Sequence, residues 1–147
     1  MSVFDPDTFL GQEVDAPMPT RYPTIPDGDY VGSISKIAAR EFSDNIVLDV
    51  TWELQDAELA EQIGMDRITV RQSVFLDVDA DGTVAEGDNK NVSLGRLRSA
   101  LNQNDGTPWN FNMLVGAGPA TVHVVSKPAK DDPETIYNNV TRVNPLS

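Results

Sequence analysis

At 147 residues and 39% hydrophobic content, the chain has the length for one domain with its own core and is too apolar for a disordered segment. Its 23 acids against 11 bases give a formal net charge of −12, which excludes a uniformly basic nucleic-acid-binding surface, because phosphate contacts need clustered cations. The absence of cysteine excludes disulfides and thiolate zinc sites, and no apolar run approaches the roughly 20 residues of a spanning helix.

Residues 1–27 open without the basic head and apolar stretch of a secretory signal, so a cytoplasmic location is expected. Pro6, Pro17, Pro19, Pro23 and Pro26 each fix φ and remove a backbone donor, which rules out a central strand or a long helix. The segment is expected to be an extended arm packed on the domain or on a neighbouring subunit, with one helical turn at residues 6–10. Pro26-Asp27-Gly28 turns the chain into a domain spanning residues 28–147.

The first strand is expected at 29–37 and the second at 45–54, where Ile46, Leu48, Val50, Trp52 and Leu54 alternate with Val47, Asp49, Thr51 and Glu53. This parity assigns Trp52 to the core. A short helix follows at 56–64, with Asp56 as N-cap and Gly64 as stop. The third strand, 67–78, splits into Ile68, Val70, Val74 and Leu76 on one side and Arg67, Thr69, Arg71, Ser73 and Phe75 on the other. Two arginines and an aromatic on a solvent-facing strand suit phosphate contact and base stacking, and they equally suit ion pairing with nearby acids. A helix at 92–103, capped by Asn91 or Ser93 and ending toward Gly106, buries Leu94, Leu97 and Leu101 along one stripe. Arg96 lies off that stripe, Arg98 lies near its edge, and Lys90 immediately precedes the helix. The last strands are expected at 120–127 and 135–143, joined by a polar loop. Across residues 67–104 five bases face five acids, and the acids are confined to one turn, so a local basic surface remains compatible with an acidic protein.

Three strands, a helix and two further strands form the order of an OB-fold. The expected architecture is therefore mainly β: a five-stranded Greek-key barrel with one helix between strands three and four, preceded by the arm. Other motifs carry less. Residues 77–88 match a calcium loop at positions 1, 3, 5, 6 and 8, but Asp88 stands where a glutamate is needed and a strand precedes the loop, so an acidic turn is expected. His123 is the sole histidine, and neither a nucleophile elbow nor a phosphate loop occurs. Trp109, Phe111 and Met113 are expected to cover the barrel end. Neither an enzyme nor a cofactor or metal site is expected.

Three patches, Thr24-Ile25-Pro26-Asp27-Gly28-Asp29-Tyr30, Val70-Arg71-Gln72-Ser73-Val74-Phe75-Leu76-Asp77 and Lys90-Asn91-Val92-Ser93-Leu94-Gly95-Arg96-Leu97-Arg98-Ser99-Ala100-Leu101, together with Phe4-Asp5-Pro6-Asp7-Thr8-Phe9-Leu10, resemble a family of tailed-bacteriophage single-stranded DNA-binding proteins encoded among replication and recombination genes. The resemblance implies an OB-fold, binding to single-stranded DNA in the host cytoplasm, and dealings with phage or host replication and recombination proteins. It carries over to Arg71, Lys90 and Arg96. The final residues, Arg142-Val143-Asn144-Pro145-Leu146-Ser147, lack the acidic, aromatic-tipped tail with which many such proteins recruit partners.

The sequence thus leads to a non-enzymatic, sequence-tolerant single-stranded DNA-binding protein. Arg67, Arg71, Lys90 and Arg96 are expected on phosphates and Phe75 on bases, with Tyr30 or Tyr137 as lesser stacking candidates. Two rival readings are a phage interaction scaffold, in which the arm docks on another subunit, and an acidic mimic of nucleic acid; a homo-oligomer is compatible with the sequence.

Overall fold

The computed structural model describes residues 4–18, 24–131 and 136–146. Its elements run α1 (Pro6–Leu10), β1 (Gly28–Phe42), β2 (Asn45–Leu54), α2 (Ala57–Ile63), β3 (Ile68–Leu76), α3 (Val92–Ala100), a 3-10 turn (Phe111–Leu114), β4 (Ala120–Pro128) and β5 (Ile136–Pro145). The strands form one mixed sheet that closes into a ring in the order β1-β2-β3-β5-β4. One helix, α2, lies between β2 and β3, and α3 lies between β3 and β4.

β1 closes the ring because it serves two neighbours. Gly28 to Gly32 pair with β4, and Gly32 to Phe42 pair with β2. Gly32, shared by both ladders, leaves only tight space for a side chain: a Cβ there would stand 3.1 Å from the Glu53 carbonyl oxygen and 3.2 Å from Leu54 Cδ2. A bulge between Ile34 and Lys36 bends the strand just beyond that point. The strand runs to Phe42, five residues past the expected end, and turns through Ser43 and Asp44, both at positive φ (50° and 67°), as a two-residue hairpin demands.

The core is filled from the inward parity of every strand: Ile34 of β1, Leu48, Val50, Trp52 and Leu54 of β2, Ile68, Val70 and Val74 of β3, Val122 and Val124 of β4, and Val140 of β5. Trp52 is fully buried, as its parity requires, and its indole N–H donates to Gln72 Oε1 at 2.9 Å. Gln72 sits on the inward parity of β3 to take that bond, so an otherwise apolar interior keeps no unsatisfied donor there. Leu94 and Leu97 of α3 join the same core, with Leu101 packed partly buried against it.

The ends of α2 follow ordinary capping chemistry. Asp56 accepts from Leu59 N–H at 3.0 Å, and Gly64 closes α2 in the left-handed region at φ 70°. α3 ends at Ala100, and Asn102 at φ 59° supplies the left-handed exit, so the chain leaves the helix before the expected Gly106. Asn91 occupies the N-cap position but makes no side-chain cap bond. Its amide instead accepts from Asp77 N–H and donates to the Asp77 and Ala85 carbonyls, tying the loop after β3 to the start of α3.

The expected helical turn at residues 6–10 is α1, with Asp5 accepting from Asp7 N–H at 3.2 Å. The expectation that the arm packs on the domain fails for residues 4–18, none of which is buried. Ile25, by contrast, is buried and held at both backbone polar groups by the Asn138 amide, at 3.0 and 2.9 Å. Pro19, Arg21, Pro23, Pro133 and the expected strand start at Thr135 lie outside the described residues.

Candidate nucleic-acid interface

The outward parity of β1, β2 and β3 generates a continuous surface whose rows follow from register. Lys36, Thr51 and Arg71 share one row, Ala38, Asp49 and Ser73 the next, Arg40, Val47 and Phe75 the next, and Phe42 pairs with Asn45 at the hairpin. Asn139 of β5 extends the first row by pairing with Arg71. Tyr137 lies two residues before Asn139 on the same parity and is exposed.

Phe42 and Phe75 are 57% and 56% exposed, a costly way to leave two phenyl rings unless something covers them. Between the strands that carry them lies Val47, fully buried although it points outward and stands apart from the core cluster. Arg40 and Phe75 flank it in the ladder, and the Arg40 guanidinium carbon lies 5.5 Å from the Phe42 ring centroid. The result is an apolar spot with cations at its border.

Four bases (Lys36, Arg40, Arg67, Arg71) and two acids (Asp49, Glu53) stand on this face. Arg40 Nε donates to Asp49 Oδ2 at 2.6 Å. That bond holds the Asp49 carboxyl below its ordinary range, with Ser73 donating to it as well and Arg71 adding through-space attraction. Arg67 forms a two-point pair with Glu53, at 3.1 and 3.0 Å. The alternative use foreseen for the arginines, pairing with nearby acids, therefore applies to Arg67. Among the described residues Arg71 and Lys36 take part in no ion pair.

Lys90 and Arg96 do not lie among these rows. They line a wide groove of about 1270 Å³ beside α3, together with Arg98, Arg142, Trp109 and Phe111, and none of Arg67, Arg71 or Phe75 lines it. Arg98 packs its guanidinium 4.2 Å over the Trp109 ring and donates to the Gln103 carbonyl. Trp109 N–H donates to the Gln103 side chain and meets Phe111 edge-on at 5.0 Å. Trp109 is half-buried against the core, in keeping with its expected role at the barrel end.

Tyr30 is no stacking candidate, because it packs against the core and its hydroxyl donates to the Pro26 carbonyl at 2.6 Å. The acidic loop 77–88 is a tight turn bridged between Val78 and Val84. Asp77 accepts from Asn91 N–H at 2.8 Å, and Asp81 accepts from both Thr83 N–H and Oγ1. No three acids converge there among the described residues. His123 Nδ1 lies 2.8 Å from Asp29 Oδ1 across the β1–β4 ladder.

Sequence reasoning missed Lys36, Arg40 and Phe42 as members of the face. The signal was present: one parity carries Lys36, Ala38, Arg40 and Phe42, and Ser43-Asp44 marks the turn. Ending the strand at Ile37 left Arg40 and Phe42 outside it, and Lys36, inside it, was passed over. No protein-family model matches the chain, and no curated protein does.

Proposed function

We propose that this protein binds single-stranded DNA with little sequence preference, along the outer face of β1, β2 and β3, and that its closed sheet is an OB-fold. The ring order, the sharing of β1 between β2 and β4, and the helix between β3 and β4 support the fold reading. One observation carries the functional reading: two exposed phenylalanines and the unpaired Arg71 and Lys36 stand on one sheet face, with Arg71 and Lys36 sharing a row and Phe75 and Phe42 two and three rows further on. Successive bases would stack on Phe42 and Phe75, which is tolerant of sequence because every base has a π-face, while Arg71 and Lys36 hold the phosphates. Arg67 contributes only after parting from Glu53, so it ranks below Arg71.

The resemblance to tailed-bacteriophage proteins supports a role in phage DNA replication or recombination in the host cytoplasm, without chemistry on the DNA. This face is narrower than the residue set suggested by sequence, since Lys90 and Arg96 line another surface. A second reading, a phage interaction scaffold, is favoured by one observation: residues 4–18 are exposed and carry large apolar side chains.

Photocrosslinking the full chain to an oligo-dT containing a halogenated uracil, followed by peptide mapping, tests the site. Adducts are expected in the peptides that carry Phe42 and Phe75. Adducts confined to peptides of α3 or of the arm would contradict this face.

A further inference from the structure

The groove beside α3 differs in charge from the rest of the molecule. Lys90, Arg96, Arg98 and Arg142 line it with a single acid, Glu86, on a chain whose net charge is −12. Among the described residues none of the four bases takes part in an ion pair. The floor offers the half-buried Trp109 and Phe111. Such a groove fits an extended segment that alternates carboxylates with apolar side chains.

This chain contains one such segment. Asp5, Asp7, Glu13 and Asp15 are distributed through residues 4–18, which contain no base. Phe9, Leu10, Val14 and Met18 stand among them, from 57% to 80% exposed. The described residues of the chain's own arm line no part of its groove. We propose that the groove receives the arm of a second copy, with the arm carboxylates on Lys90, Arg96 and Arg142 and its apolar side chains toward Trp109. Reciprocal exchange of two arms closes a two-fold dimer with no surface left over to propagate the contact. This inference does not depend on DNA binding at the sheet face.

Sedimentation velocity of the full chain at about 50 mM and 500 mM NaCl tests it, because a contact built on exposed charges weakens as the screening length shortens. The expected result is twice the mass of one chain at low salt and the mass of one chain at high salt. Reversing the groove (K90E/R96E/R142E) or the arm (D7K/E13K/D15K) should give a monomer at low salt. An equimolar mixture of the two variants should again associate, since the basic arm of one meets the acidic groove of the other; this recovery separates a lost contact from a lost fold. The proposal is overturned if the unaltered chain is monomeric at low salt, as it would be with each arm in its own groove. It is equally overturned if the groove variant still dimerises and instead loses affinity for oligo-dT, which would make the groove a nucleic-acid site.

Discussion

Phe42 and Phe75 are the side chains on which the functional reading turns, because a ring more than half exposed on a sheet gains little from folding and much from a stacked base. Stacking contributes about 1 to 3 kcal/mol per base, so Phe42→Ala and Phe75→Ala should each weaken oligo-dT binding by about that amount, with the salt dependence unchanged. Fluorescence anisotropy reads the loss directly. Trp52→Phe provides the contrast: its ring is fully buried and its N–H is bonded to Gln72. That change leaves the Gln72 acceptor without its partner, at a cost of about 1 to 3 kcal/mol of stability, and should leave affinity intact in the folded fraction.

Between elements, several ties are carboxylates with depressed pKa values. Asp49 of β2 is held down first by the Arg40 hydrogen bond from β1 and then by Ser73 of β3. Asp27, just before β1, is held down first by the Ser126 hydroxyl and then by the Ser126 N–H, both on β4. A carboxyl whose folded pKa lies below its ordinary 3.8 adds stability above that value, and the contribution disappears as pH falls through the lower folded value. The urea midpoint is therefore expected to hold near neutrality and to drop below about pH 4, and Asp49→Asn should reduce that drop. An unchanged acid sensitivity in the variant would separate Asp49 from the effect.

Those same elements show what the sequence made legible. Period-2 alternation located β2 and β3, and parity alone assigned Trp52, Val70 and Val74 to the interior, because one buried face leaves a strand no choice of side. Asp56 and Gly64 marked α2 for the same local reason. β1 was legible only to Ile37, since beyond it Ala38, Ala39, Arg40 and Glu41 are all exposed and carry no hydrophobic period. The pairing of Arg40 with Asp49 across the hairpin, and the gathering of Arg142 with Lys90 in one groove, depend on register and ring closure and leave no local trace. The candidate set consequently divided: Arg67, Arg71 and Phe75 share the sheet face, while Lys90 and Arg96 belong beside α3.

For the whole molecule, the proposed function requires that a chain of net charge −12 attract a polyanion. Ten of its 23 acids lie in residues 1–27 and 77–88, off the β1–β3 face, and on the face Asp49 and Glu53 are already matched by Arg40 and Arg67. That leaves Lys36 and Arg71 as the cations able to displace counterions from DNA. The most direct measurement is the affinity for labelled oligo-dT between about 50 and 200 mM NaCl, for the unaltered chain and for Arg71→Ala. Each phosphate contact on a single strand contributes about 0.7 to the slope of log affinity against log salt. The account predicts measurable binding that weakens with salt, and a slope shallower by about that amount in the variant. Absence of binding at the lowest salt, or an affinity indifferent to both salt and Arg71, would contradict it.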